Sequence, residues 1–205
     1  MSKAVLISIR PKWCELIASG KKTIEVRKTR PKLETPFKCY MYMSKYHWAF
    51  DLLQKYGMED LADRLMHETG MVMGEFVCDG IQKLTYRDDG EHQHYQWLNA
   101  PVWALFLEHS ACLTHEQIKT YLLGKTGHGW HISNLVIYDE PKKLTDFIRP
   151  SGGCCNEGMC AGCIFLDEGN GYNVEDDCMA DFDTDRYSIV TRPPQSWCYV
   201  REIES

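Results

Sequence analysis

Apolar positions near the start of the chain change their spacing twice within the first 27 residues. "KAVLISI" (3–9) is a continuous apolar run of strand length. Pro11 follows, and it suits the first position of a helix, where its missing N–H costs nothing. Trp13, Leu16 and Ile17 then fall on one helical face and Gly20 supplies the stop, which predicts a helix over 11–19. From Thr23 the period becomes two: Ile24 and Val26 point one way, Thr23, Glu25 and Arg27 the other. A basic strand is expected to leave the helix, with Glu25 and Arg27 about 7 Å apart on one face.

Further along, "FKCYMYMS" (37–44) and "MVMGEFVCDGI" (71–81) read as strands, with Gly74 marking a bulge or a close approach. Between them, "WAFDLLQKYGMEDLADRLMHETG" has helical spacing at Leu52, Leu53, Tyr56, Leu61 and Leu65. "LTHEQIKTYLLG" carries Thr114 and Gln117 as a capping box, Ile118, Tyr121 and Leu122 on one face and Gly124 as terminator. "GWHISNLVIYD" (129–139) is rich in β-branched residues, and "SWCYVREI" (196–203) reads as a closing strand. The cluster "EHQHYQW" (91–97) reads as a surface loop. No internal repeat, dinucleotide fingerprint or phosphate-binding P-loop motif occurs. Short strands separated by a few helices, without regular βαβ alternation, predict an α+β fold on a small curved sheet or barrel.

Composition changes this picture in two ways. Residues 1–32 carry nine Lys or Arg against Glu15 and Glu25, whereas residues 151–185 carry nine Asp or Glu and no Lys or Arg. With a total charge of -6, the chain repels polyanions at long range, so any phosphate ligand has to be met locally at the basic end. The loop-rich stretch 151–186 also holds "CCNEGMCAGC". Cys160 and Cys163 have zinc-knuckle spacing, Cys154 or Cys155 supplies a third thiolate and Cys178 a fourth, which suits a closed structural zinc site; free thiols in a loop are the alternative reading. No organic cofactor is expected. Cys14, Cys39, Cys78 and Cys198 fall inside predicted elements and read as small core residues. The apolar run before Arg10 is too short for a signal peptide or a membrane span, so a cytoplasmic protein that avoids membranes is expected.

The basic segment carries the candidate chemistry. Lys21, Lys22, Arg27 and Lys28 beside a glycine turn suit phosphate, and Glu25 suits an amino or imino donor, a mixture that fits a nucleotide better than a bare anion. An exposed strand whose Glu25 merely pairs with its neighbours is the alternative. "SIRPKWCELIASGKKTIEVRK" resembles the opening of ASCH domains, in which a helix and a glycine precede a G-x-K-x-x-E-x-R run; Gly20, Lys22, Glu25 and Arg27 match it. "GHGWHISNLVIYDEPKKLTDF" (127–147) and "RPPQSWCYV" (192–200) are similar to segments of microbial and phage-type ASCH proteins. The resemblance implies one PUA-like domain over 1–205: a small β-barrel flanked by helices, with the cysteine-rich loop 151–186 inserted.

It further implies binding of RNA or of a modified nucleoside or nucleotide in a cleft beside the first helix. Lys22, Arg27 and Lys28 would engage phosphate or sugar, Glu25 would read a base edge, Trp130 or Trp197 would stack, and His131, Ser133 and Asn134 would add polar contacts. Some small ASCH proteins are amidohydrolases acting on N4-acetylcytidine through a lysine and a threonine of this motif. Lys22 matches that lysine, but Glu25 holds the threonine's place. Hydrolysis would then need Glu25 as a general base beside Lys22, because a carboxylate attacking an amide gives a mixed anhydride. Binding without turnover is the expected function and amide hydrolysis the alternative.

Overall fold

The computed structural model describes residues 2–45, 69–88, 93–97, 106–150 and 187–203. The chain forms two compact units that alternate along the sequence: residues 1–14, 38–76 and 136–205 make the first, and 15–37 with 77–135 the second. Residues 48–68 of the helical segment expected over 48–70 and the cysteines at 154, 155, 160, 163 and 178 lie outside the described residues.

The first unit is built on a five-stranded sheet in the order β11-β1-β3-β4-β8. Its strands are β1 (Lys3–Ile9), β3 (Phe37–Met43), β4 (Val72–Cys78), β8 (Ser133–Lys142) and β11 (Trp197–Arg201). β1 is parallel to β3 and antiparallel to β11, and its apolar run is buried almost throughout, as a central strand covered on both faces should be. The core gathers Leu6, Tyr40, Tyr42, Val72, Phe147 and Val200, with Tyr40 edge-on to Phe147 at 4.9 Å. A short pair, β9 (Ile148–Pro150) with β10 (Tyr187–Ile189), sets Pro150 opposite Tyr187, so the acidic segment starts and ends at neighbouring positions. Gly74 is the close approach its sequence context suggests, because a Cβ there would strike the Val136 carbonyl on β8.

One rim of this sheet holds a half-exposed charge cluster. Lys38 Nζ lies 3.0 Å from Glu75 and 3.4 Å from Glu202, while the Tyr138 hydroxyl donates to Glu75 at 2.6 Å. Burial and this hydrogen bond push the Tyr138 phenol well above its ordinary range. Burial pulls the Lys38 ammonium down, but its hydrogen bond to Glu75 and the neighbouring Tyr40, Glu75 and Glu202 outweigh that and leave it raised.

The second unit holds a four-stranded sheet in the order β2-β7-β5-β6: β2 (Ile24–Arg27), β5 (Ile81–Asp88), β6 (Gln93–Trp97) and β7 (Gly127–His131). One face packs Ile24, Val26 and Leu84 against α2 (Leu107–Ala111) and α3 (His115–Leu122). The capping box at Thr114 and Gln117 is present, and Leu123 and Gly124 both take left-handed conformations after α3. Gln93–Trp97 corrects the loop expected there: it pairs as β6 with β5. The run expected over 129–139 divides at Ile132 into strands of two different sheets. Among the described residues the strands form open sheets and no closed barrel, which corrects the barrel expectation. No described helix is long and apolar enough to cross a membrane.

Candidate functional site

The turn from α1 (Pro11–Ala18) into β2 brings the motif together. Gly20 adopts φ +71°, and the amides of Lys21 and Lys22 donate back to the Leu16 carbonyl at 3.0 and 2.9 Å. This C-terminal cap turns the chain sharply and delivers Lys22 inward. Lys22 is only 2% exposed, and its ammonium donates to the Ile24 and Ala111 carbonyls, each at 2.8 Å. The same nitrogen stands 3.2 Å from one Glu25 oxygen, while Arg27 Nη2 stands 3.0 Å from the other. Glu25 and Arg27 are each 6% exposed. Three charged side chains, more than nine-tenths buried, thus form a chain in which one carboxylate bridges two cations and the charges sum to +1. The strand is buried rather than exposed, while Glu25 does pair with its neighbours Lys22 and Arg27, as the alternative reading has it.

Strand register decides what stands beside it. Glu25 lies opposite Trp130 and Arg27 opposite His128 across β2 and β7, and on the next strand Ile81 and Lys83 continue these rows. Directly opposed residues in an antiparallel pair project from the same face, about 4.5–5.5 Å apart at Cβ. Glu25, Arg27, Trp130, His128, Ile81 and Lys83 therefore share one face, and Ile24 and Val26 occupy the other with the helices.

The remaining expected residues separate from this cluster. Lys28 is exposed and sits 5.7 Å from the ring of Tyr121 on α3, which places it on the helix side of the sheet, away from Glu25. Trp130 is wholly buried with Phe37 edge-on at 6.0 Å, and Trp197 is 3% exposed beside Tyr199, so neither offers an open stacking face. Trp197 belongs to the first unit. His131 holds Asp79 through Nδ1 at 2.6 Å, and Ser133 donates to the Val77 carbonyl at 2.9 Å. Asn134 is exposed, with φ 46°. The sequence reading did not single out the Ala111 carbonyl, which Lys22 contacts, or His128 and Lys83, which share the sheet face. The alternation His128–Trp130 within β7 was the available signal for His128; the Ala111 contact spans 89 residues and had none.

Among the described residues no cluster of His, Cys, Asp and Glu is placed to hold a metal. Cys14, Cys39, Cys78 and Cys198 are buried. Burial pushes the Cys78 thiol up to about 12, which makes it a poor nucleophile.

A solved structure of ASCH from Zymomonas mobilis is similar with a TM-score of 0.50 at 15% identity, over 97% of this chain and 88% of that one. Two single-substitution variants of the Zymomonas protein give 0.49 at 15% identity (97% and 89% covered) and 0.45 at 17% identity (70% and 77% covered). No curated protein matches the chain. Residues 7–121, which contain α1, the Gly20 turn and the whole Lys22–Glu25–Arg27 cluster, match the model of the ASCH domain, and that is 115 of 205 residues. The chain belongs to the ASCH domain family.

Proposed function

We propose that the protein binds a nucleobase-bearing ligand, RNA or a modified nucleotide, at the Lys22–Glu25–Arg27 cluster, and that it binds without turnover. The observation that carries this reading is the burial of three ionised side chains in one short turn and strand. Taking each such ion out of water costs several kcal/mol, and apolar replacements of a buried ion pair are often neutral or stabilising. Stability alone is a weak reason for such a cluster; a preorganised receptor is a better one. A carboxylate fixed between two cations accepts from an amino or imino group, and the cations complement phosphate and carbonyl oxygens.

The same geometry speaks against the hydrolase alternative. Three acceptors match the three N–H bonds of Lys22, and each oxygen of Glu25 already faces a cation, so neither group stands ready to take a proton from water. Titration with a nucleoside monophosphate and with a short RNA tests the proposal. Saturable binding that weakens at least tenfold in Glu25→Gln, with the circular dichroism spectrum unchanged, is expected. Binding that Glu25→Gln leaves intact would overturn it. Release of acetate from N4-acetylcytidine, abolished by Lys22→Ala and Glu25→Gln, would establish the hydrolase instead.

A further inference from the structure

Resting on that binding reading, we propose that Cys112 is a positioning residue for the site: its left-handed backbone and its thiol together fix where the Lys22 ammonium stands. Three consecutive residues at the end of α2 meet three consecutive residues of the Gly20 turn. The Thr23 amide donates to the Ser110 carbonyl at 2.8 Å, the Lys22 ammonium to the Ala111 carbonyl at 2.8 Å, and the Cys112 thiol to the Lys21 carbonyl at 3.4 Å. The first two contacts end on main-chain oxygens of α2. The third belongs to the side chain of residue 112, so here the identity of the amino acid matters.

A helix leaves its last carbonyls without internal donors. α2 closes with the paired bonds of a Schellman turn: the Leu113 amide donates to the Glu108 carbonyl at 3.1 Å and the Cys112 amide to the His109 carbonyl at 3.2 Å. That closure uses Glu108 and His109 and presents the Ser110 and Ala111 carbonyls to the Gly20 turn. It needs residue 112 at φ 52°, ψ 38°, which glycine adopts freely and a residue with a Cβ adopts at a cost. What cysteine adds over glycine is the thiol, which stands between the Lys21 carbonyl and, at 3.6 Å, the His109 carbonyl. The Lys21 carbonyl and the Lys22 amide are the two ends of one planar peptide unit. Its N–H is held by the Leu16 carbonyl at 2.9 Å and its oxygen by Cys112, so the plane from which the Lys22 side chain departs is clamped on both sides. From there the ammonium reaches Ala111 and Glu25.

The test uses the full chain with a nucleoside monophosphate as probe, and reads affinity, the NMR signal of the Lys22 ammonium and the thermal midpoint. Cys112→Gly keeps the left-handed backbone and removes the thiol. It is expected to weaken the probe about threefold, the loss of one weak hydrogen bond, and to shift the Lys22 signal. The midpoint should hold or rise, because glycine relieves the backbone cost. Cys112→Ser, whose hydroxyl donates in place of the thiol, should bring affinity and signal back toward wild type. A residue that served stability alone would move affinity and midpoint down together. Cys112→Gly with wild-type affinity, or with affinity and midpoint falling together, would overturn the positioning role, as would Cys112→Ser binding as weakly as Cys112→Gly; in each case Glu25→Gln still weakening the probe leaves the binding site standing. Glu25→Gln without effect would remove the underlying reading, and the positioning role with it.

Discussion

Among the described residues, two three-charge clusters, one of Lys, Glu and Arg and one of Lys and two Glu, are placed in opposite surroundings. In the second unit Lys22, Glu25 and Arg27 show 2–8% side-chain exposure and sum to +1. In the first unit Lys38, Glu75 and Glu202 show 19–32% and sum to -1. Water screens the rim cluster, which works as a buckle: it ties β3 to β4 and to the end of β11, and the Tyr40 hydroxyl beneath it accepts from the Ile203 amide at 2.8 Å. The sealed cluster gains more per contact but carries the desolvation of three ions. Clusters of charge therefore differ in character according to depth: one is screened and fastens strands, the other is sealed and desolvated.

Removing single charges should break this comparison most visibly. Glu25→Ala leaves two buried cations facing each other, and a loss of about 3–5 kcal/mol in denaturant unfolding is expected. Adding Arg27→Met should recover part of that loss, giving a double-mutant coupling of about 2–3 kcal/mol. The corresponding cycle on the rim, Lys38→Met with Glu75→Gln, should couple by no more than about 1 kcal/mol. Equal coupling in the two clusters would erase the distinction drawn from burial.

Tyr138→Phe sharpens the rim side. It removes a hydroxyl that donates to a carboxylate, worth about 1.5 kcal/mol near pH 8. The pH dependence follows from direction. The folded phenol is held above its ordinary value, so only unfolded chains ionise there as pH rises through about 10. The contribution of Tyr138 is thus complete below that pH and declines above it, and the stability gap between wild type and Tyr138→Phe should narrow toward pH 11. Lys38, also raised, loses its contribution in the same alkaline direction. Urea midpoints at pH 8 and 10.5 measure both. The smallest effect belongs to Gly20→Ala: no atom lies within 4 Å of the added Cβ, so the cost is the left-handed backbone alone, about 1 kcal/mol by thermal unfolding.

Local features were legible in the sequence. The Pro11 start, the Gly20 stop, the two-residue alternation through Glu25 and Arg27 and the Thr114 capping box each depend on neighbours within a few residues, and each stands as the spacing indicated. What the chain did not disclose depends on register or on distant backbone. Lysine is ordinarily exposed, so the burial of Lys22 could be known only with the Ala111 carbonyl in place. The rows beside Glu25 required the β2–β7–β5 pairing, and Lys28, just past the end of β2, lies by Tyr121 instead despite its adjacency to Arg27. The tryptophans carried two readings in the sequence, because aromatic rings serve cores and binding sites alike, and only exposure separates the two; Trp130 and Trp197 are buried. The histidine pair near 92–94 looked like a loop because β6 exists only as a partner of β5.

The tether from Lys22 to residue 111 belongs to the main chain. Whatever amino acid is installed there, the oxygen that receives the ammonium remains, so ordinary mutagenesis cannot edit it on its own. Only a change of the amide linkage itself, such as an ester introduced between Ala111 and Cys112 by chemical synthesis, would dim that oxygen while every side chain stays as it is.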